Sequence, residues 1–174
     1  MNLWLRLALL LLADTVWRPR LNVLDTSRLP MRVLPSDLDL IGHMTNARFF
    51  SVLDLGRLDL LFRSGLLGLV LRERWAPVVA GCDVRFRRAL RPFERFWVES
   101  RLAGWDERWL YMEQTIHSRR GIAASAMVRG SIVAHGETLA PAAVLARAGF
   151  DGEAPELPPR FAAWRDAEPA FHET

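Results

Sequence analysis

Two aspartates and a histidine stand within seven residues of one another, at Asp37, Asp39 and His43. A carboxylate can attack a carbonyl carbon or take a proton from water, and an imidazole can orient the reacting group. Gly42, which lies between Asp39 and His43, allows the chain to turn sharply. These residue types at this spacing indicate chemistry on an ester-type carbonyl group.

The residues after this loop predict the start of a helix. Thr45 or Asn46 can accept a hydrogen bond from the first free helical N–H groups, and a long apolar segment follows. The free N–H groups and the helix dipole favour negative charge as it develops. A carboxylate and an imidazole are therefore predicted beside backbone donors, which is the geometry that an ester-cleaving site needs.

The chain before the loop reads as a strand. Residues 31–34 predict a short strand, and the alternation of Asp37 and Asp39 with Leu38 and Leu40 predicts that the strand ends in the loop itself. The site is therefore expected at a junction between a strand and a helix.

The helix that follows is predicted to run from Asn46 to Leu66, where the Gly65 region ends it. Gly56 lies inside this helix at a cost of ~1 kcal/mol relative to alanine. Its presence predicts close approach to a sheet, and a glycine without a role is the alternative. The wetter side of the helix is predicted from its charged residues, which are Arg48, Asp54, Arg57 and Arg63.

Beyond Trp75 the apolar residues recur with a period of two, which is typical of strands. Four strands are predicted, at residues 78–90, 93–103, 109–117 and 122–135. The short turn-forming breaks between them predict an antiparallel meander. Two helices are predicted in the tail, from Pro141 to Gly149 and from Pro159 to Ala167, so the fold class is α+β.

Three segments resemble hot-dog thioesterases of the 4-hydroxybenzoyl-CoA thioesterase type. The loop carries the pattern D-x-D-x-x-G-H-x-x-N-A-R-F, and the spacing of Asp39 and His43 also resembles plant acyl-ACP thioesterases, with Ile41 where those have asparagine. Residues 35–50, 104–113 and 155–164 together are most similar to the thioesterase superfamily member 6 group. The resemblance implies a hot-dog fold, in which an antiparallel sheet of about five strands wraps around one long helix, with extra N- and C-terminal helices.

The resemblance also implies roles for the loop residues. Asp39 matches the catalytic carboxylate, which either attacks the thioester carbonyl to give an anhydride or activates a water molecule. His43 is expected to orient the carbonyl or the water. The alternative is that Asp39 satisfies loop N–H groups and His43 is structural. Asp37 is expected to brace the loop through backbone hydrogen bonds.

The start of the helix is expected to stabilise the oxyanion. Asn46, with Thr45, is predicted to cap the helix, and the backbone N–H groups of Thr45, Asn46 and Ala47 are the candidate donors. Many relatives have asparagine where this chain has Thr45, so the resemblance assigns no catalytic role to the Thr45 side chain.

Arginines cluster around the predicted second and third strands. Arg85, Arg87 and Arg88 are the candidates for binding the phosphates of coenzyme A, because a guanidinium group can contact phosphate through two hydrogen bonds. Arg91 and Arg95 lie close by in the sequence. The alternative is a solvated sheet end in an arginine-rich protein.

The composition bears on other functions. All 23 basic residues are arginine, and the net charge of +3 is small for a nucleic-acid-binding protein. Cys82 is the single cysteine, which excludes an intrachain disulfide, and the four histidines are not at metal-ligand spacing. We expect no metal, no cofactor, no nucleic-acid partner and a reducing, cytoplasmic environment.

The N-terminal residues 1–17 form the most apolar segment. Leu3 to Ala13 is far shorter than the ~20 residues that span a bilayer. It is expected to form a helix packed on the protein, or one that lies in a membrane interface with Trp4 and Trp17 as anchors. Since it carries none of the proposed chemistry, its removal is expected to leave the Asp39 loop folded and the hydrolytic rate nearly unchanged.

The sequence predicts one structural domain with two extensions. Residues 1–29 form the apolar helix and connector, 30–136 the hot-dog domain and 137–174 the helical tail. A homodimer or homotetramer is expected, because an exposed sheet edge has to be covered. The predicted function is hydrolysis of acyl-CoA or another acyl thioester; the alternative is a non-catalytic acyl-binding or membrane-associated hot-dog scaffold.

Overall fold

The structure, a computed structural model, describes residues 6–8, which are helical, and residues 19–167. The strands in these residues are β1 (Ser27–Arg32), β2 (Ala76–Phe86), β3 (Arg95–Trp105), β4 (Leu110–Ser118), β5 (Gly121–Ala134) and β6 (Glu137–Leu139). The α-helices that follow residue 19 are α1 (Asn46–Arg63), α2 (Leu66–Arg72), α3 (Pro141–Arg147) and α4 (Pro159–Ala167).

The sheet is antiparallel throughout and has the order β1-β3-β4-β5-β2, with the short β6 added to β5. Its inner face packs on α1, where Phe49, Val52 and Leu53 are buried against sheet residues such as Val98 and Ile116. The α+β arrangement of an antiparallel sheet around one long helix is confirmed, with a sixth short strand that the sequence did not predict.

Close contact between α1 and the sheet explains Gly56. A Cβ atom at this position would lie 2.6 Å from Val98 Cγ1 and 2.8 Å from Ser100 Oγ, both on β3. Any side chain would therefore push the helix away from the strand. The predicted close approach to a sheet is confirmed.

The helix also differs from its prediction. It ends at Arg63 rather than Leu66, because Gly65 adopts a φ of +80° and α2 begins after it. Its expected wetter side is wrong at Arg57 and Arg63, whose side chains are only 11% and 8% exposed. Residues before β1 cover Arg63, since its Nε donates a hydrogen bond to the carbonyl oxygen of Pro19 at 3.0 Å.

The predicted meander is correct for β3, β4 and β5 and wrong for β2. Rather than pairing with β3, β2 pairs with β5, and β3 pairs with β1. The connection between β2 and β3 therefore crosses one end of the sheet and buries Leu90 fully. The Arg91-Pro92 turn reads locally as a hairpin, but the pairing depends on contacts between distant parts of the chain.

The tail packs on the outer face of the sheet. Phe161 of α4 is fully buried against Tyr111 of β4, with ring centroids 5.9 Å apart. Gly104 allows the segment before α4 to pass, because a Cβ atom there would lie 2.8 Å from Leu157 Cδ2. The segments 104–113 and 155–164, which carry part of the family resemblance, therefore meet each other and have a structural role.

The predicted N-terminal helix lies largely outside the described residues, and so does the proposed interfacial role of Trp4 and Trp17. Of the described part, Leu7 packs against the main core. Among the residues that the structure describes, none belongs to a helix long and apolar enough to cross a membrane.

Candidate functional site

The loop between β1 and α1 is built from turns rather than from the strand end that the sequence predicted. Pro35–Asp37 form one 3-10 turn, and Leu38 makes a single antiparallel bridge with Met44. Pro35 starts the turn with a fixed φ, and Gly42, at a φ of +79°, reverses the chain. The period-two alternation arises here from a tight loop closed by its own backbone.

Asp39 closes this loop with one carboxylate oxygen. Its Oδ1 accepts hydrogen bonds from the amides of Ile41 and His43, both at 3.0 Å, and its own N–H donates to the His43 carbonyl at 2.8 Å. Its Oδ2 accepts no hydrogen bond from the described residues, and the side chain is exposed. The turn-forming role is thus carried by one oxygen, while the second oxygen remains open to solvent.

The helix start offers amides for an anion. Thr45 caps α1, because its Oγ1 accepts the Arg48 N–H at 3.2 Å, whereas Asn46 is the first helical residue and not the cap. The Thr45 N–H already donates to the Asp37 carbonyl at 3.0 Å. Of the three predicted donors, Asn46 and Ala47 keep amides without an acceptor in the described part of the chain.

Asp37 is a buried residue that stabilises the loop through hydrogen bonds. It is 1% exposed, and its Oδ2 accepts the Leu34 N–H at 2.9 Å, so the predicted bracing through backbone hydrogen bonds is present. The same oxygen accepts a hydrogen bond from Arg6 at 2.5 Å, and Arg48 Nε lies 3.7 Å from Oδ1. Two arginines therefore compensate the charge of this buried carboxylate.

His43 belongs to the loop through its backbone. Its amide and carbonyl both bond to Asp39, and the next amide, of Met44, donates to the carbonyl of Leu90 at 3.1 Å. The side chain is half-buried. The connection between β2 and β3 thus holds the loop in place, which the local sequence pattern gave no means of predicting.

The three arginines predicted to contact phosphate have different surroundings. Arg88 binds the β4–β5 turn, where it donates to the Ser118 hydroxyl at 2.9 Å and to the carbonyls of Gly121, at 2.7 Å, and Arg120. Arg85 and Arg87 are exposed at the end of β2, and Arg85 projects from the opposite face of the strand to Phe86, which packs on α1. Arg85 and Arg87 are therefore accessible to a ligand, whereas the Arg88 guanidinium group is used in hydrogen bonds within the fold.

An apolar cavity of about 380 Å³ lies between the second half of α1 and the strands β2, β4 and β5. Its walls are mostly leucine, valine and isoleucine, for example Leu58, Leu61 and Ile132, and Asp39 is not among its lining residues. Volumes of about 300–1,000 Å³ are typical of small-molecule sites. The sequence did not predict this cavity, since its walls come from distant segments.

A buried polar network that the sequence also did not reveal lies at this cavity. Arg57 donates from Nη1 to Gln114 Oε1 at 2.7 Å and from Nη2 to Asp54, and the fully buried Gln114 donates to Ser100 Oγ at 2.8 Å. Burial lowers the pKa of Arg57 below its usual value. The neighbouring Gly56 was the available signal, because its close approach to the sheet, 3.1 Å from Gln114 Nε2 for a Cβ atom at this position, also brings Arg57 within reach of Gln114.

Another polar cluster lies on the outer face. Asp106 accepts hydrogen bonds from the Tyr111 hydroxyl at 2.7 Å and from the amides of Arg108 and Trp109. Partial burial would raise the pKa of Asp106, but these hydrogen bonds outweigh burial and lower the pKa. Burial, helped by Asp106, raises the pKa of Tyr111. This cluster holds the β3–β4 turn.

Comparison with protein families gives a match over most of the chain. Residues 33–165 match the model of the thioesterase-like superfamily. The chain is similar to Protein THEM6 of Xenopus laevis, with 42% identity over 82 residues, which are 47% of this chain and 40% of that protein. It is also similar to the thioesterase lcsJ of Purpureocillium lilacinum, with 32% identity over 108 residues, 51% of this chain and 35% of that protein. The matches thus span about two fifths of these two curated relatives.

Solved structures agree with the fold. A thioesterase from Thermus thermophilus, solved with coenzyme A and zinc, has a TM-score of 0.62 and 25% identity, covering 72% of this chain and 98% of that one. The hot-dog arrangement expected from the resemblance is therefore confirmed.

Proposed function

Because this chain belongs to the thioesterase-like superfamily, we propose that it hydrolyses an acyl-CoA thioester, with Asp39 as its catalytic carboxylate. The observation that carries the proposal is the difference in surroundings between the two carboxylate oxygens of Asp39. Two amides fix Oδ1, and Oδ2 has no hydrogen bond from the described residues. A carboxylate held in this way is oriented without being neutralised, as a nucleophile or general base requires.

The chemical step can follow either of two routes. In the first, Asp39 Oδ2 attacks the thioester carbon, the C–S bond breaks, the thiolate leaves and takes a proton, and water then hydrolyses the resulting anhydride. In the second, Asp39 takes a proton from the water that attacks the same carbon, and the thiolate leaves with a proton. In both routes we assign stabilisation of the oxyanion to the amides of Asn46 and Ala47 at the helix start, where the helix dipole favours negative charge.

The carrier proposed for the acyl group is coenzyme A. Arg85 and Arg87 are exposed at the end of β2. Phe86, which lies between them in the sequence, packs on Phe49 and Phe50 near the start of α1. Exposed guanidinium groups suit the phosphates of a nucleotide carrier. The relative from Thermus thermophilus was solved with coenzyme A, which supports the same choice.

A second copy of the chain completes the proposal. In the described residues β2 pairs on one side only, and its first five residues, 76–80, are all exposed. Val78 and Val79 are 44% and 48% exposed. An open edge of eleven residues with exposed valines favours pairing with another copy rather than exposure to water.

The test is Asp39→Asn, assayed with a series of acyl-CoA substrates. The amide can still accept the two loop hydrogen bonds, so the loop should remain folded while hydrolysis falls by about a hundredfold or more. Asp151→Asn, at an exposed carboxylate far along the chain, serves as the matched control. Equal hydrolysis by the wild type and Asp39→Asn would remove Asp39 from the mechanism.

A non-catalytic acyl-binding scaffold is the second candidate. The observation that favours it is the position of the apolar cavity, whose lining does not include Asp39. This candidate predicts that acyl-CoA binds without being cleaved. Binding measured by calorimetry, with no release of free thiol over hours, would favour the scaffold over the enzyme.

A further inference from the structure

The cavity beside α1 has one charged place in a largely apolar wall, and Ser131 is its other polar lining side chain. Its buried lining residues include Val23, Leu102 and Leu145, whose side chains would bind a hydrocarbon chain through the hydrophobic effect. Asp54 and Arg57, both on α1, are its charged lining residues. A ligand that fills the cavity therefore meets hydrocarbon along most of its length and a guanidinium group at one point.

Arg57 is held rigidly at that point. Its side chain is 11% exposed, and it is fixed by Gln114, which is itself fully buried and donates to the Leu53 carbonyl at 2.9 Å. A guanidinium group has five N–H donors. Two bonds, to Gln114 and Asp54, are all that Arg57 makes with the described residues, so further donors are left for a ligand.

The charge at this point selects the kind of acceptor. Asp54 already pairs with Arg57, so a second carboxylate would face a like charge while it lost its hydration. A hydroxyl or keto oxygen carries no such penalty. A hydroxyl group can also donate to the Asp54 carboxylate while it accepts from Arg57.

The position along the helix indicates where the oxygen lies on the ligand. Arg57 is eleven residues beyond Asn46, the first residue of α1, and the rise of 1.5 Å per residue places it about 16 Å along the axis. The thioester is proposed to react beside the helix start. The oxygen therefore belongs to the part of the chain remote from the thioester.

We infer that this cavity binds a fatty acyl chain that carries a hydroxyl or keto oxygen remote from the thioester, and that Arg57 determines this specificity through a hydrogen bond to that oxygen. The inference rests on the proposed function for the identity of the ligand as an acyl group. It can be tested separately, because a free fatty acid needs no hydrolysis to bind.

The experiment compares dodecanoic acid with its ω-hydroxy derivative by calorimetry, using the full chain. We expect the wild type to bind the hydroxy acid about tenfold more tightly, as a hydrogen bond to a charged donor allows. Arg57→Met keeps most of the side-chain length and removes the donors, so it should lose this preference and still bind dodecanoic acid. Arg119→Met, at an exposed arginine outside the cavity lining, should keep the preference.

Two further measurements keep the outcomes separate. Leu58→Trp fills the cavity and should weaken binding of both acids, and thermal unfolding of every variant shows whether it folds. Equal binding of the two acids by the wild type overturns the inference whatever the variants do, and so does the absence of binding of either acid. A retained preference without acyl-CoA hydrolysis would instead overturn only the proposed catalytic function.

Discussion

Arg6 donates a hydrogen bond to Asp37 at 2.5 Å, and this contact joins the N-terminal segment to the turn that precedes Asp39. Arg6 also donates to the Arg32 carbonyl at the end of β1. The side chains of Arg6 and Asp37 are 12% and 1% exposed, so the pair is largely withdrawn from water. Removal of the N-terminal residues 1–17 would remove this contact, and its effect on the loop and on the hydrolytic rate stays a prediction.

We predict that Arg6→Ala lowers the free energy of unfolding by about 1–3 kcal/mol, since it leaves a buried carboxylate with Arg48 as its remaining cation among the described residues. Hydrolysis should fall severalfold, because Asp37 supports the loop that holds Asp39. Urea denaturation and a double-mutant cycle with Asp37→Asn measure the effect. Arg20→Ala, at an exposed arginine, is the control; additivity of the Arg6 and Asp37 changes would contradict the coupling.

The phosphate-binding role of Arg85 and Arg87 predicts a change in KM. Replacing both by alanine should raise KM for acyl-CoA about five- to tenfold with little change in kcat, because the reacting carbonyl is elsewhere. The effect should shrink at high salt and be absent with an acyl-pantetheine substrate, which lacks the nucleotide. Steady-state kinetics test this, with Arg74→Ala as the exposed control. An equal effect on both substrates would refute phosphate contact.

Asp106 predicts a defined pH dependence of stability. Because its pKa is lower in the folded chain than in the unfolded chain, its ionised form stabilises the fold above about pH 4, and that stabilisation is lost as the pH falls through the folded pKa. Asp106→Asn should therefore lower Tm near neutral pH, and its difference from the wild type should shrink in acid. Thermal unfolding between pH 7 and pH 3 measures this difference. A constant difference across that range would show that the charge of Asp106 is unimportant.

Pairing of two copies along β2 predicts that a charge on its exposed face dissociates them. Val79→Lys should shift the protein to monomers, since edge lysines oppose strand pairing. Ile122→Lys, at an exposed residue on β5, should leave the oligomeric state unchanged. Sedimentation velocity decides between the two outcomes, and a Val79→Lys dimer as stable as the wild type would exclude this interface.

Local patterns predicted the elements, and contacts between distant residues decided the rest. The strand periodicity of β3 to β5 and the Pro159–Ala167 helix were predictable, because each depends on residues that are neighbours in the sequence. The pairing of β2 with β5 was not, since the turn after β2 resembles a hairpin. Arg57 reads as a solvated helix residue in the sequence, and only its contact with Gln114 shows that it is buried.

The candidate site shows the same division. The loop pattern predicted that Asp39 lies in a turn just before a helix start, because a turn glycine and a capping threonine are signals that lie next to it in the sequence. The cavity and the anchoring of Arg88 in the β4–β5 turn arise from segments that meet only in the folded chain. The alternation of residue types alone could not distinguish a strand end from the loop that forms here, in which Asp39 accepts hydrogen bonds from the amides of Ile41 and His43.

The pairing of β1 with β3 has a consequence for how the chain folds during its synthesis. Ser27 of β1 faces Ser100 of β3, and Arg32 faces Arg95, so β1 has no strand to join until the ribosome has made the middle of the chain. The carbonyl of Pro19 likewise cannot accept its hydrogen bond until Arg63, 44 positions later, has been synthesised. Helix α1 can form from its own residues, whereas β1 must remain unpaired while β2 is still being translated. The strand that precedes the Asp39 loop can therefore pair only after β3 has emerged from the ribosome.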